Sequence, residues 1–401
     1  MKNKVIATSW HPGGANAIIP VIKRLQNDIE VEVIGHGFSE GVFKMAGIDY
    51  KTIVDYHINN ISTNSMIQIV EKIHPQLVLT GSSIQDKDNR NVIEQTIALA
   101  ARKKKIKSLS VMDWWGNLWE KFSDLYDENG RFREEIYGKL LPPEYTEKDG
   151  KFKFLPDKIG VMDSSIKMAM LEEGFDENRL VITGNPFFDE LIILKEGFRD
   201  REKVRNDLKI DPKSYVIFYA SQNLEYVFGD RLGYTEKTVL RELLKSIKDI
   251  PGKKISVLVK VHPREDKKDI ENLERIVKEE EFNDLSVIIV DKDYNTRTAI
   301  MASDVAVAAS STTLIESTYL DLPSISLQPG LNAEDYLEAT NKLGITIPIY
   351  KEGEIRVVLR KLIFDEGYKL KLATKRKEFQ IDGKATERVT NLVHKILDKS
   401  N

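Results

Sequence analysis

The stretch MASDVAVAASSTTLIESTYLDLP, residues 301–323, runs from a buried strand through a hydroxyl-rich loop into a helix. Val305–Ala309 is an apolar run of strand length, and Ser310, Ser311, Thr312 and Thr313 open the next helix. The first N–H groups of a helix have no partner within it and sit at the positive end of its dipole. Hydroxyls there favour an anion, typically phosphate. Glu316 follows one turn on, placed to accept hydrogen bonds from a sugar diol. A second such unit is VKVHPR, residues 259–264, where the strand Val257–Val261 ends in His262-Pro263. Together the two imply a pocket for phosphate and ribose, hence a nucleotide-linked substrate.

The chain is 401 residues long, more than one hydrophobic core usually supports, so two domains are expected. Its 60 Lys+Arg nearly cancel 63 Asp+Glu, and a net charge of -3 gives no overall field to draw in nucleic acid. With Cys 0, disulfides and thiolate metal sites are excluded. Histidines 11, 36, 57, 74, 262 and 394 show no metal-ligand spacing, so no metal and no cofactor are expected. The opening MKNKVIATSW enters a strand without a signal-peptide core, and no apolar run approaches the roughly 20 residues that span a bilayer. A cytoplasmic protein is expected. The basic run RKKKIK at 102–107 reads as a solvated helix end, with peripheral attachment to anionic lipid at the inner membrane face as the alternative.

Strand and helix periods alternate from end to end, which predicts a doubly wound α/β fold. Strands are expected at 4–8, 30–35, 77–80, 108–112, 159–162 and 180–182, with helices at 15–25, 64–73, 92–104 and 165–173. Residues 113–150 break the rhythm and read as an insertion or lid. Gly184-Asn185-Pro186 ends regular structure, after which the alternation restarts. Strands are then expected at 215–220, 255–261, 285–290 and 305–309, with helices at 236–247, 268–280, 352–364 and 385–397. The domains are therefore 1–185, 186–375, and a final segment 376–401 whose helix returns to the first domain. Two Rossmann-like domains facing a cleft are expected.

Gly13 and Gly14 follow the first strand and let a ligand approach the backbone, although the turn is not a dinucleotide fingerprint. A tight turn alone explains them equally well. His11, at the same strand edge, is a candidate general base, and Asp113 after the fourth strand is a second; an N-cap role suits Asp113 as well. Trp114, Trp115 and Trp119 read as pins of a loop to the core, ahead of sugar stacking or a membrane surface. Lys260, His262 and Arg264 share one face of a strand and its extension, with His262 placed to donate to phosphate. Ser221, Gln222 and Asn223 occupy the equivalent edge, within reach of a base or donor group, and are also ordinary loop formers.

These motifs resemble the GT-B superfamily of nucleotide-sugar enzymes. The likeness rests on the Gly13-Gly14 turn, Gly184-Asn185-Pro186 with Phe187-Phe188-Asp189, His262-Pro263, and Ser310-Ser311-Thr312 with Glu316 and Pro323. His-Pro followed by Ser-Ser is similar to bacterial sialyltransferases, capsule Kdo transferases and CDP-glycerol glycerophosphotransferases. The resemblance implies that Ser310, Ser311 and Thr312 bind the nucleotide phosphates, Glu316 the ribose, and His262 the leaving phosphate. Non-hydrolysing UDP-N-acetylglucosamine 2-epimerases share the fold. Their N-terminal Gly-Thr-Arg-Pro-Glu motif is missing, and Asp113-Trp114-Trp115-Gly116 stands where they carry His-Val-Glu-Ala-Gly-Leu-Arg. The sialyltransferases' acidic element also has no counterpart in the first domain, so the base stays open between His11 and Asp113.

The reading is a metal-independent glycosyltransferase of cell-envelope or capsule polysaccharide synthesis. It would take a nucleotide-sugar donor and a glycan or lipid-linked acceptor, in an oligomeric state the sequence leaves open. The alternatives are a nucleotide-sugar 2-epimerase or hydrolase, a CDP-alditol phosphotransferase, and a non-catalytic nucleotide-sugar binder.

Overall fold

The structure is a computed structural model that describes residues 3–85, 90–126, 151–197, 200–248, 250–262, 265–279, 282, 284–379 and 381–399. Most of the expected insertion, 127–150, lies outside the described residues, as do Pro263, Arg264 and Glu280. The chain forms two compact units, Met1–Glu190 with Asp382–Asn401, and Leu191–Ile381.

The first unit carries a six-stranded sheet of β1 (Lys4–Ser9), β2 (Glu30–Gly35), β3 (Leu77–Thr80), β4 (Lys107–Val111), β5 (Lys158–Val161) and β6 (Leu180–Ile182). Its order is β2-β1-β3-β4-β5-β6, all parallel. Val5, Ala7, Leu77 and Leu79 face one apolar core, while Ile6, Ile34 and Val78 face the other. Because helices cover both faces, both sides of the central strands are buried, and residues 5–7 and 77–79 read as continuous apolar runs.

The C-terminal helix Ala385–Asp398 belongs to this unit and packs against helix Pro12–Leu25, adding Val389, Val393 and Leu397 to the core. The Asp189 carboxylate accepts from the N–H groups of Ala385 (3.0 Å) and Thr386 (2.7 Å) at its start. Arg388 donates to the Thr183 carbonyl at 2.8 Å. These bonds keep the Gly184-Asn185-Pro186 turn inside the first unit, and the division falls after Glu190.

The second unit carries β7 (Tyr215–Ala220), β8 (Ile255–Lys260), β9 (Ser286–Val290), β10 (Val305–Ala308), β11 (Ser324–Leu327) and β12 (Ile347–Ile349). The order is β12-β11-β10-β7-β8-β9, again all parallel. The alternation read from sequence omits β11 and β12. In β11, SISL, two serines hide the strand, yet both are buried and bonded: Ser326 donates to the Ala309 carbonyl at 2.8 Å, and Ser324 Oγ accepts from Thr318 at 3.1 Å.

Gly14 and Gly41 separate packing from propensity. A Cβ at Gly14 would lie 2.6 Å from Ser9 Oγ and 3.2 Å from the Gly81 backbone, whereas one at Gly41, inside helix Phe38–Met45, meets nothing within 4 Å. Gly14→Ala is expected to destabilise by about 1–3 kcal/mol. Gly41→Ala is expected to stabilise by about 0.5–1 kcal/mol. Denaturant midpoints of the two variants check both signs.

Candidate functional site

In an open parallel sheet, ligands bind outside the carboxyl ends of the strands where the strand order reverses. In the second unit that point lies between β7 and β10. Gln222, just past β7, crosses it: its Oε1 accepts from the Ser310 N–H at 2.8 Å, and its Nε2 lies 3.5 Å from Ser310 Oγ. Ser311 Oγ accepts from the Thr313 N–H at 3.2 Å and so sits at the start of helix Thr313–Tyr319. Thr312 is exposed at the same turn. Ser221, Gln222, Ser310, Ser311 and Thr312 thus come together at one edge.

Beside them β8 ends at Lys260, and its loop is held by a residue the sequence reading missed. The Glu265 carboxylate is only 3% exposed. It accepts from Ser221 Oγ at 2.6 Å and from the His262 N–H, tying the β7 and β8 loops together. Burial pushes its carboxyl above the ordinary value, against the pull of those two bonds. The signal available was an acid three residues after His262, the spacing at which a side chain returns to a backbone N–H. His262 stands half-buried at this edge. Lys260 is placed differently: its buried ammonium donates to the carbonyls of Lys292 (2.6 Å) and Val261 (3.2 Å), and burial lowers its pKa. Its side chain is occupied by backbone.

Glu316 accepts from Arg297 Nε at 2.9 Å, with side-chain exposures of 19% for Arg297 and 12% for Glu316. Arg297 also escaped the sequence reading. It lies on the short helix Thr296–Met301, where nothing in the local pattern singles it out.

In the first unit the order reverses between β1 and β3. Gly14 meets Ser9 and Gly81 there, so glycine is needed for the approach of two strand ends. At Gly13 a Cβ would fall 2.1 Å from Asp113 Oδ2. The Asp113 carboxylate itself lies over the first turn of helix Pro12–Leu25, and its Oδ1 accepts from Ser82 Oγ (2.8 Å) and Lys121 Nζ (3.2 Å). His11 is the N-cap residue of that helix, and its ring stacks against Phe38 with centroids 6.1 Å apart. His11, Gly13 and Asp113 therefore share one strand edge.

Glu94 lies beneath it. Its Oε1 accepts from Ser83 Oγ (2.6 Å), the Trp10 N–H (2.8 Å) and Ser9 Oγ (3.0 Å). Trp115 is 2% exposed and donates to Asp163 at 2.8 Å, pinning its loop. In the basic run, Lys104 pairs with Glu71, Lys107 with Asp157, and Arg102 donates to the Lys153 carbonyl. Among the described residues no three His, Cys, Asp or Glu group to hold a metal ion, and no helix is long and apolar enough to cross a membrane.

Two parallel, doubly wound sheets with polar loops at their switch points define the GT-B fold of nucleotide-sugar enzymes. Solved structures agree. The Staphylococcus aureus MnaA–UDP co-structure matches with a TM-score of 0.64 at 16% identity, covering 99% of this chain and 97% of that one. The Neisseria meningitidis UDP-GlcNAc 2-epimerase bound to UDP-GlcNAc matches with a TM-score of 0.64 at 17% identity, covering 98% and 100%. Acinetobacter baumannii MurG matches with a TM-score of 0.62 at 12% identity, covering 98% and 100%. Comparison with curated proteins finds no match. The family model for CDP-glycerol:poly(glycerophosphate) glycerophosphotransferase matches residues 161–395, more than half of the chain. The chain belongs to that family, whose members act on nucleotide-linked substrates.

Burial pushes the Glu94 carboxyl above its ordinary 4.5, despite the three bonds that favour the charged form. The folded chain therefore keeps this proton at pH values where the unfolded chain has lost it. Stability falls as pH rises above about 4.5 and until the folded carboxyl ionises. Glu94→Gln removes the ionisation, so its melting temperature should climb relative to the wild type as pH increases through that range. A difference that stays flat with pH would count against the buried acid.

Proposed function

We propose that this chain transfers an alditol phosphate from a cytidine diphosphate-linked donor to a hydroxyl of a growing envelope or capsule polymer. The observation that carries the reading is the family match over 161–395, a span that includes every site residue from Ser221 to Glu316. It moves the weight from a sugar to an alditol phosphate. Glycosyl transfer from a UDP-sugar is the second reading, favoured by similar folds solved with UDP and UDP-GlcNAc.

In the first reading the acceptor oxygen attacks the alditol-side phosphorus. The pyrophosphate P–O bond breaks, CMP departs with the electron pair, and the acceptor proton passes to a base. The second unit supplies the donor site. Ser310, Ser311 and Thr312 offer hydroxyls and N–H groups to the phosphates, His262 donates to the departing oxygen, and Glu316, steadied by Arg297, accepts from the ribose. Donors fixed in place before the reaction stabilise the departing charge without reorganising. His11 and Asp113 in the first unit are the candidate bases. Assigned this way, the residues carry the step without a metal.

Incubation with CDP-glycerol, CDP-ribitol and UDP-sugars, each with and without a hydroxyl-bearing oligomer, tests this. The expected product is CMP, formed only with acceptor. Release of UDP from a UDP-sugar only with acceptor supports the glycosyl reading, and an epimer without acceptor supports a 2-epimerase. His262→Ala and Glu316→Gln, which keeps an acceptor for Arg297, should each lower turnover on the order of a hundred-fold while the melting curve is kept. Full activity in both variants would remove the proposed donor site.

A further inference from the structure

Behind Asp113, the first unit contains a void of about 10 Å³ lined by Ser82, Ser83, Glu94, Gln95 and Lys121, among others. That is the room one water molecule needs. Two acceptors on its lining residues have no hydrogen-bond partner, Glu94 Oε2 and Gln95 Oε1. Their residues are only 4% and 3% exposed. Elsewhere both side chains have partners: Glu94 Oε1 takes three donors, and Gln95 Nε2 donates to the carbonyls of Lys121 (2.9 Å) and Ser83 (3.5 Å). An unmet buried acceptor is costly, and here two stand on adjacent residues that both line one water-sized void.

Lys121 completes the set. It is 5% exposed, and its ammonium donates to Ser82 Oγ at 3.1 Å and Asp113 Oδ1 at 3.2 Å. An ammonium carries three N–H groups, so one remains for the void. We propose that one internal water, accepting from Lys121 Nζ and bonded to Glu94 Oε2 and Gln95 Oε1, closes a buried chain that makes Lys121 the positioning residue for Asp113. Three hydrogen bonds are the usual complement of a buried water. Either protonation state of Glu94 fits, since a carboxylate accepts, an acid donates, and water does both. The chain holds Asp113 Oδ1 from behind and leaves Oδ2 over the Gly13 turn, where a Cβ would fall 2.1 Å away.

The kinetic part rests on the proposed transfer with Asp113 as base; the structural part does not. Crystal structures of the wild type and Lys121→Met, at a resolution that shows ordered water, decide the chain. The expected result is a water within hydrogen-bond distance of all three groups, and an Asp113 carboxylate turned away from Gly13 in the variant. No such water, or an Asp113 unmoved in Lys121→Met, overturns the proposal. In the transfer assay Lys121→Met should lose kcat on the order of a hundred-fold with donor KM retained, and Lys121→Arg should restore part of it. An unchanged kcat overturns the positioning role. A wild type that transfers nothing from any donor refutes the functional reading, while the crystal structures still decide the chain. Should Lys121→Met not fold, Ser82→Ala removes the other bond to the same Oδ1 and serves as the second variant.

Discussion

Carboxylates at the carboxyl ends of parallel strands hold the loops on which everything else depends. Glu265 ties the β7 loop to the β8 loop through Ser221 and His262, and Glu94 gathers Ser9, Trp10 and Ser83 at the β1 and β3 ends. Such groups are expensive to desolvate, and burial pushes both above the ordinary carboxylate value. What offsets the cost is the set of backbone and hydroxyl donors that would otherwise stand unmet at the strand ends. Removing one partner would leave the rest exposed to the full penalty, so each cluster behaves as a unit.

The two units use their switch points differently. In the second, Gln222 reaches across to the N–H of Ser310, leaving a loop of hydroxyls at the head of a helix. In the first, the chain's own Asp113 carboxylate takes the place over the helix start where an anion is electrostatically favoured. The same local rule, negative charge at a helix N-terminus, is thus met by a side chain in one unit and left to a ligand in the proposed reading of the other.

How much was legible follows from how far apart the partners lie in sequence. The strands β1, β3, β7 and β10 were visible because burial on both faces gives them unbroken apolar runs. The hydroxyl loop at 310–313 was visible because it directly follows such a run. Serine-bearing β11 was not, since only its neighbours show that its hydroxyls are satisfied. Arg297 and Lys121 were hidden too. Arg297 stands 19 residues from Glu316 and Lys121 8 residues from Asp113, and an arginine or lysine in a helical turn is ordinarily solvated.

The sequence by itself determined the α/β alternation, the two-domain scale and the Ser310–Thr313 loop, because these are local patterns of period and polarity. Tertiary structure alone decided that Gly13 makes room for Asp113, that Lys260 turns to backbone carbonyls, and that Glu316 pairs with Arg297. The reason is physical. Apolar periodicity records which way a residue faces, but a hydrogen bond or ion pair depends on where a distant segment arrives. Only the folded chain supplies that distance.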